Sequence, residues 1–459
     1  MSLIPKIVRS WKTVADEREL ESIAEWVAEK NKNLKVSITK NKLTDSDFWY
    51  YDELTGDIHN KNNSFFQIKG LQQYVDGELV SEQPVLIQDE IGYLGILCKE
   101  FDGVLKFLMQ AKIEPGNVNK IQISPTIQAT KSNFQQKHGG KRPAYLDYFM
   151  NAQSENILFD QIQSEQSSRF LGKRNRNIIV MVHDDVDVLP SHRWMTLGTI
   201  KRLMKIDNLV NMDTRTVLSC IPFFSAQSAE QNDIIDAFSD KPLARSMFSD
   251  SRSDFVRVYR YMNNYKMLYS KKATTVPLKS LESWNFTDDE ISHKVGYPFK
   301  VVFCNIEIEG REVTHWTQPL FEADGEAVFG LILADFDGVT KFLVHAKPEV
   351  GCFDGIELAP TVQLEASVTP DKYNEIDKLF FALQSSGKCE IKNDVVLSEE
   401  GGRFYHEQNR NVVLKADKND VQKLPEGYFW LSYNTLNRMV QYNNVLNIQL
   451  RNLLSLLDL

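Results

Sequence analysis

Two short segments of this chain are copies of each other, and they constrain its fold more than any other feature. Ser124-Pro125-Thr126-Ile127-Gln128 returns as Ala359-Pro360-Thr361-Val362-Gln363, an offset of 235 residues (126 to 361). The same order of features surrounds each copy. Trp49 and Trp284 lie upstream, followed by Gln83-Pro84 and Gln318-Pro319. Glu100-Phe101-Asp102-Gly103 answers to Asp335-Phe336-Asp337-Gly338, and Ala111-Lys112 to Ala346-Lys347. Downstream, Ser164-Glu165-Gln166, Arg169-Phe170 and Asn175-Arg176-Asn177 match Ser398-Glu399-Glu400, Arg403-Phe404 and Asn409-Arg410-Asn411. Helix or strand periodicity does not reproduce polar residues in one order across half a chain. The sequence is therefore a tandem duplication.

A chain of 459 residues exceeds what one core usually organises. We expect repeats over residues 1–225 and 251–459, joined by a Ser-, Asp- and Ala-rich linker over 226–250. Each repeat reads as helix, several strands, helix, strand, helix, an α+β unit. Helices are expected over 11–30, 143–163, 194–211, 254–270 and 430–454. Strands are expected over Ile91–Lys99, Val104–Ala111, Ile121–Thr130 and Asn177–Val182. Asp76-Gly77, Asp102-Gly103 and Glu309-Gly310 read as hairpin turns.

The balance of 53 Lys and Arg against 62 Asp and Glu argues against a nucleic-acid partner, which requires basic surface. No apolar run is long enough to span a membrane, and the first residues lack a signal-peptide core. Five scattered cysteines without a Cys-x-x-Cys pair fit a reducing cytoplasm. Eight dispersed histidines give no metal motif, and neither a dinucleotide fingerprint nor a Walker motif is present.

The richest block is Ser398-Glu399-Glu400-Gly401-Gly402-Arg403-Phe404-Tyr405-His406 with Asn409 and Arg410. Gly-Gly admits a close ligand, Arg suits phosphate, and Glu, Tyr and His move protons. Of the basic cluster Arg169, Lys173, Arg174 and Arg176, only Arg169 and Arg176 persist as Arg403 and Arg410, which makes those two pairs the better phosphate candidates. Thr126, Gln128, Thr361 and Gln363 share one strand face and are expected to hydrogen-bond into a pocket. Trp49 and Trp284 are either core residues or stacking surfaces for a base or sugar.

These paired motifs resemble the NDP-hexose 2,3-dehydratases, with Lys173-Arg174-Asn175-Arg176-Asn177 and Leu397 through His406 carrying much of the likeness. The resemblance spans about residues 10–455. It implies a tandem Nudix-like fold, a homodimer, and a dTDP-linked sugar in each half with one pocket catalytic. The Nudix hydrolase box itself is absent. The implied reaction eliminates water across C2–C3 of dTDP-4-keto-6-deoxyglucose to a 3,4-diketo-2,6-dideoxy sugar, with no cofactor and no metal. The second copy holds Glu399, Glu400, Tyr405 and His406 where the first has Glu165, Gln166, Leu171 and Gly172, so catalysis is expected in the C-terminal pocket. Substrate contacts are expected from Trp49, Thr126, Gln128, Lys131, Glu165, Arg169, Asn175, Arg176, Trp284, Thr361, Gln363, Arg403, Asn409 and Arg410. The alternatives are a non-catalytic nucleotide-sugar binder, or a lyase or isomerase acting on a GDP- or UDP-linked sugar.

Overall fold

The computed structural model describes residues 3–134, 142–223, 228–269, 271–309, 314–421 and 423–458. It is a mixed α+β structure in which each half supplies one seven-stranded and most of one five-stranded sheet. In the first half the larger sheet runs in the order Ile157–Ser164, Arg174–Met181, Gly92–Phe101, Val104–Ile113, His192–Thr196. Arg174–Met181 and Gly92–Phe101 are parallel, and the other neighbours are antiparallel. The second half repeats this order with Glu390–Ser398, Gln408–Lys415, Ala327–Phe336, Val339–Lys347 and Tyr428–Ser432.

The expected hairpin turns form where both turn residues can adopt positive φ. Asp102 and Gly103 sit at φ 49° and 80°, and Asp337 and Gly338 at 50° and 79°. This is the primed turn whose twist matches that of the flanking strands. Asp76 and Gly77 close the hairpin of Gln67–Val75 and Glu78–Ile87 in the same way. The Glu309-Gly310 turn falls partly on residue 310, outside the described residues.

The smaller sheets join the halves. Val36–Lys40 of the first half pairs with Phe299–Ile308 of the second, Ile38 opposite Ile306. Its counterpart Lys271–Val276 pairs with Gln67–Val75, Thr274 opposite Gln72. Each half thus lends the other a strand. The helices Met212–Ser219 and Ile448–Ser455 are buried along their whole lengths and pack on each other at the centre. One apolar core runs through both halves, from Phe107, Ile179 and Val217 to Leu331, Phe342 and Leu453. Burying each such side chain contributes about 1.5–3 kcal/mol.

Several expected elements differ. Residues 143–163 are not one helix: a short turn of helix, Leu146–Met150, is followed by the strand Ile157–Ser164. Residues 194–211 hold the end of a strand and the helix Leu197–Leu203, with Met212–Ser219 starting just beyond, and 430–454 split into the end of a strand and two helices. The asparagines explain the split. The first helix of each pair ends at Leu203 or Met439, and Asn208 and Asn444 adopt the left-handed conformation at φ 56° in the turn that follows. Asn211 and Asn447 then cap the next helix, accepting from the Thr214 and Leu450 amides. The expected strand Ile121–Thr130 breaks at Pro125 into Ile121–Ser124 and Ile127–Ala129. The expected first helix is two, Leu3–Lys12 and Glu17–Lys32, the second capped by Asp16. Residues 228–246, read as linker, form the helices Ser228–Ala237 and Lys241–Ser246, and Ile234, Phe238, Leu243 and Ala244 enter the core. Residues 226 and 227 lie outside the described residues. The expected 254–270 helix spans Arg252–Leu268, with residue 270 also outside them.

Candidate active site

The site begins at a fork in the first larger sheet. Gly92–Phe101 and Val104–Ile113 pair from their turn back to Leu97 and Leu108, then splay. Ile127–Ala129 pairs with one arm and Ile121–Ser124 with the other. Thr126 closes the apex: its hydroxyl accepts from the Leu97 amide at 2.9 Å and donates to the Leu108 carbonyl. Thr361 does the same between Ile332 and Leu343. The Pro-Thr pair is retained because it fills this fork. Its hydroxyl is spent on backbone, although Thr126 also borders the cavity below.

Above the splayed strands of the first half lies a cavity of about 1180 Å³. Ligand sites are commonly 300–1,000 Å³, so this one is large enough for a nucleotide-linked sugar. Its inner wall is charged. Lys112 bonds Glu114 at 2.9 Å, Gln128 bonds the same carboxylate at 2.7 Å, and the Gly401 amide donates to its other oxygen at 3.2 Å. Asn175 donates to Glu165 at 2.8 Å, while the second Glu165 oxygen has no partner among the described residues. Asp213, at the start of the central helix Met212–Ser219, and Glu400 and Arg403 from the second half complete this wall. The site is therefore composite: the second half contributes side chains to the cavity of the first.

Burial and neighbouring carboxylates set the protonation of these groups. Glu400 is pushed up to about 7 by burial and by Glu114. Burial also raises Glu165, against the pull of Arg451 and Lys173. For Glu114 burial is outweighed by Lys112, and its carboxyl lies below the ordinary value. Burial lowers Lys173 to about 8, although Glu165 favours its charged form.

The outer part of the cavity is aromatic, with Phe48, Trp49, Phe65 and Trp316 among its lining. Arg403 stands over Phe65 and Phe66, its guanidinium carbon 4.5 and 4.4 Å from the ring centroids. It donates to the Gln88 side chain at 3.1 Å and to the Gly402 carbonyl at 2.7 Å, both uncharged acceptors.

A family model described as NDP-hexose 2,3-dehydratase matches this chain twice, over residues 20–221 and 256–457. The chain belongs to the NDP-hexose 2,3-dehydratase family. It is 38% identical over 411 residues to a protein of Saccharopolyspora spinosa named dTDP-4-dehydro-6-deoxy-alpha-D-glucopyranose 2,3-dehydratase, covering 89% of this chain and 85% of that one. Proteins of the same name from Streptomyces violaceoruber and Amycolatopsis orientalis are 37% and 35% identical, covering 94% and 95% of this chain and 95% and 90% of theirs. Among solved structures, a C. elegans Ap4A hydrolase aligns with 26% of this chain and 87% of its own, at 14% identity and a TM-score of 0.18, too loose to carry an argument. Among the described residues of this dehydratase-family chain, no helix is long and apolar enough to cross a membrane.

Of the residues singled out in the sequence, Trp49, Thr126, Gln128, Glu165, Asn175, Glu400 and Arg403 line the cavity. The others do not. Glu399 is buried beneath it, bonded by Asn409 and pushed up to about 8 by burial and Glu407. Tyr405 and His406 stack on each other at 4.1 Å on the outside, with His406 exposed. The expected C-terminal catalytic set is thereby divided, and only Glu400 reaches the cavity. Arg176 and Arg410, expected to bind phosphate, clamp Asp160 and Asp394 on the neighbouring strand, at 2.7 Å and 2.8 Å from Nε. Trp284 is core, its indole N–H donating to the Glu82 carbonyl at 3.1 Å. Lys131 is exposed. Arg169, Thr361 and Gln363 belong to the corresponding place in the second half, where Gln363 bonds Glu349 and Asn447.

The sequence reading missed Lys112, Glu114 and Asp213 as site residues, and set Lys173 aside because the second copy holds Glu407 there. Only the difference between copies could have pointed to Lys173 and to Asp213, whose counterpart is Gln449.

Proposed function

We propose that this chain eliminates water across C2–C3 of dTDP-4-keto-6-deoxyglucose, in the cavity of its first half. The curated relatives bear that activity in their names and match this chain along most of its length. The observation that carries the reading is the juxtaposition, in one cavity, of Glu400 and Glu165 with Lys112, Lys173 and Arg403.

The C4 carbonyl of such a sugar acidifies the C3 proton. Glu400 removes it: a carboxylate poised near 7 is both ionised and basic enough at neutral pH. The negative charge that develops on O4 is met by the ammonium groups of Lys112 and Lys173, fixed beforehand in a partly water-excluded site. The enolate electrons form the C2=C3 bond and the C2–O bond breaks. The resulting enol becomes the 3,4-diketo-2,6-dideoxy sugar. Arg403 supplies a planar fork to the diphosphate, and the aromatic end around Trp49 and Phe65 receives the base.

The finer points of the reading rest on the resemblance alone: two Nudix-like repeats dividing near residues 225–250, a homodimer, and a cytoplasmic location. The activity is tested by incubating the chain with dTDP-4-keto-6-deoxyglucose and following the product by mass. Loss of one water is the expected result. Binding of dTDP without turnover would leave a nucleotide-sugar binder, and turnover of a GDP- or UDP-linked sugar in preference would reassign the nucleotide.

A further inference from the structure

The inner wall of the cavity holds more acids than bases. Glu114, Glu165, Asp213 and Glu400, four acids, face three cations, Lys112, Lys173 and Arg403. Three of the four carboxyls have donors: Glu114 has Lys112, Gln128 and the Gly401 amide, Glu165 has Asn175, and Glu400 has the Gly402 amide. Asp213 is 2% exposed, and its Oδ1 is buried without a hydrogen-bond partner among the described residues. The nearest arginines are engaged elsewhere, Arg215 with the Ser398 carbonyl and Arg451 with the Ser164 carbonyl. A buried carboxyl with no donor and an excess of like charge beside it keeps its proton. It is then an O–H donor at the border of a substrate cavity.

We propose that Asp213 is the general acid of the elimination, a neutral carboxyl that protonates the departing C2 hydroxyl. The inference rests on the dehydratase reading above. The step balances: the Asp213 O–H proton passes to the C2 oxygen, the C2–O bond breaks, the enolate electrons close the C2=C3 bond, water leaves, and Asp213 remains a carboxylate. The C3 proton taken up by Glu400 passes through the cavity to restore it. Burial, with Glu165, Glu114 and Glu400 adding to it and Lys112 opposing, holds the Asp213 carboxyl well above the usual carboxylate range. This is the condition an acid must meet to work near neutrality. Gln449 stands at the same place in the second half and has no proton to give.

The test compares Asp213→Asn with the parent on two substrates, the 4-keto-6-deoxyglucose nucleotide and its 2-deoxy-2-fluoro analogue. Fluoride departs without protonation. With the natural substrate, Asp213→Asn is expected to lose about a hundredfold in kcat. KM should hold, and exchange of the C3 hydrogen with solvent deuterium should continue. With the fluoro analogue, fluoride release should stay within about threefold of the parent. Equal losses on both substrates, or none on either, overturn the proposal. Should Asp213→Asn fail to fold, the parent alone decides. Its kcat for water loss must fall at high pH while fluoride release shows no such fall, and matching profiles refute the role. If the parent releases neither water nor fluoride, the dehydratase reading is what has failed.

Discussion

The two halves share a scaffold and differ in what fills it. In the first half the fork opens onto a cavity lined by Lys112, Glu114, Lys173 and Asp213, with Glu400 and Arg403 reaching in from the second. In the second half the equivalents of Lys173, Asp213 and Thr130 are Glu407, Gln449 and Glu365, and Arg169 replaces Arg403. There the arginine meets acids. Arg169 pairs with Glu365 at 2.8 Å, lies 3.8 Å from Glu407, and stands 4.2 Å above Phe299. Arg169 is tied into an ion pair within the protein, whereas among the described residues Arg403 donates to the uncharged Gln88 and Gly402 oxygens, with Glu400, Glu90 and Glu114 near enough to favour its charge. The copies share part of the polar wall, Lys112 and Glu114 answering to Lys347 and Glu349, and they part at Lys173, Asp213 and Glu400, where the second half has Glu407 and Gln449 and the first has Gln166.

Removing the base should produce the largest effect. Glu400→Gln is expected to lower kcat about a thousandfold with KM little changed, read by steady-state kinetics. The parent kcat should rise with pH through about 7, because only ionised Glu400 accepts the C3 proton. The mirror change, Gln166→Glu, should leave kcat alone. If it alone restored turnover to Glu400→Gln, the division of labour between halves would be wrong.

The arginines should then separate stability from affinity. Arg169→Ala removes the guanidinium that lies between Glu365 and Glu407, and should cost about 3 kcal/mol of stability in denaturant titration, with KM unmoved. Arg403→Lys should do the reverse. It loses the planar fork, so calorimetry should find dTDP binding about tenfold weaker with little change in melting. Tighter dependence of dTDP affinity on Arg169 than on Arg403 would place the nucleotide in the second half.

The duplication, the Asp-Gly hairpins and a minority of the cavity residues were legible in the sequence, because Asp-Gly turns and the retained Pro-Thr-x-Gln motif are local signals. The exchange of Val36–Lys40 and Lys271–Val276 was not: strand patterning says that a segment pairs, never with what. The helices misjudged over 194–211 and 430–454 failed for a local reason. Apolar spacing runs on past Leu203 and Met439, where the helices end, through turns in which Asn208 and Asn444 are left-handed. For the site, retention in both copies was weighed as a sign of function. Retention marks what both halves need to fold as well as what lines the cavity: Thr361, Arg176 and Arg410 bond within the scaffold, Gln128, Asn175 and Arg403 border the cavity, and the unretained Lys173 and Asp213 carry no such signal.

The smallest effect tests that principle most directly. Arg176 and Arg410 are the same residue in the two copies, clamping Asp160 and Asp394 across adjacent strands. Both pairs are partly exposed, so each is worth about 1 kcal/mol or less. If they are scaffold, Arg176→Ala and Arg410→Ala should lower the melting temperature by similar small amounts, with kcat and KM within twofold of the parent in both. The match between the two is the informative quantity: a phosphate ligand would affect one half's chemistry, whereas a strand clamp does the same work on either side. A rise in KM for Arg176→Ala alone would show that retention and function coincide at this position after all.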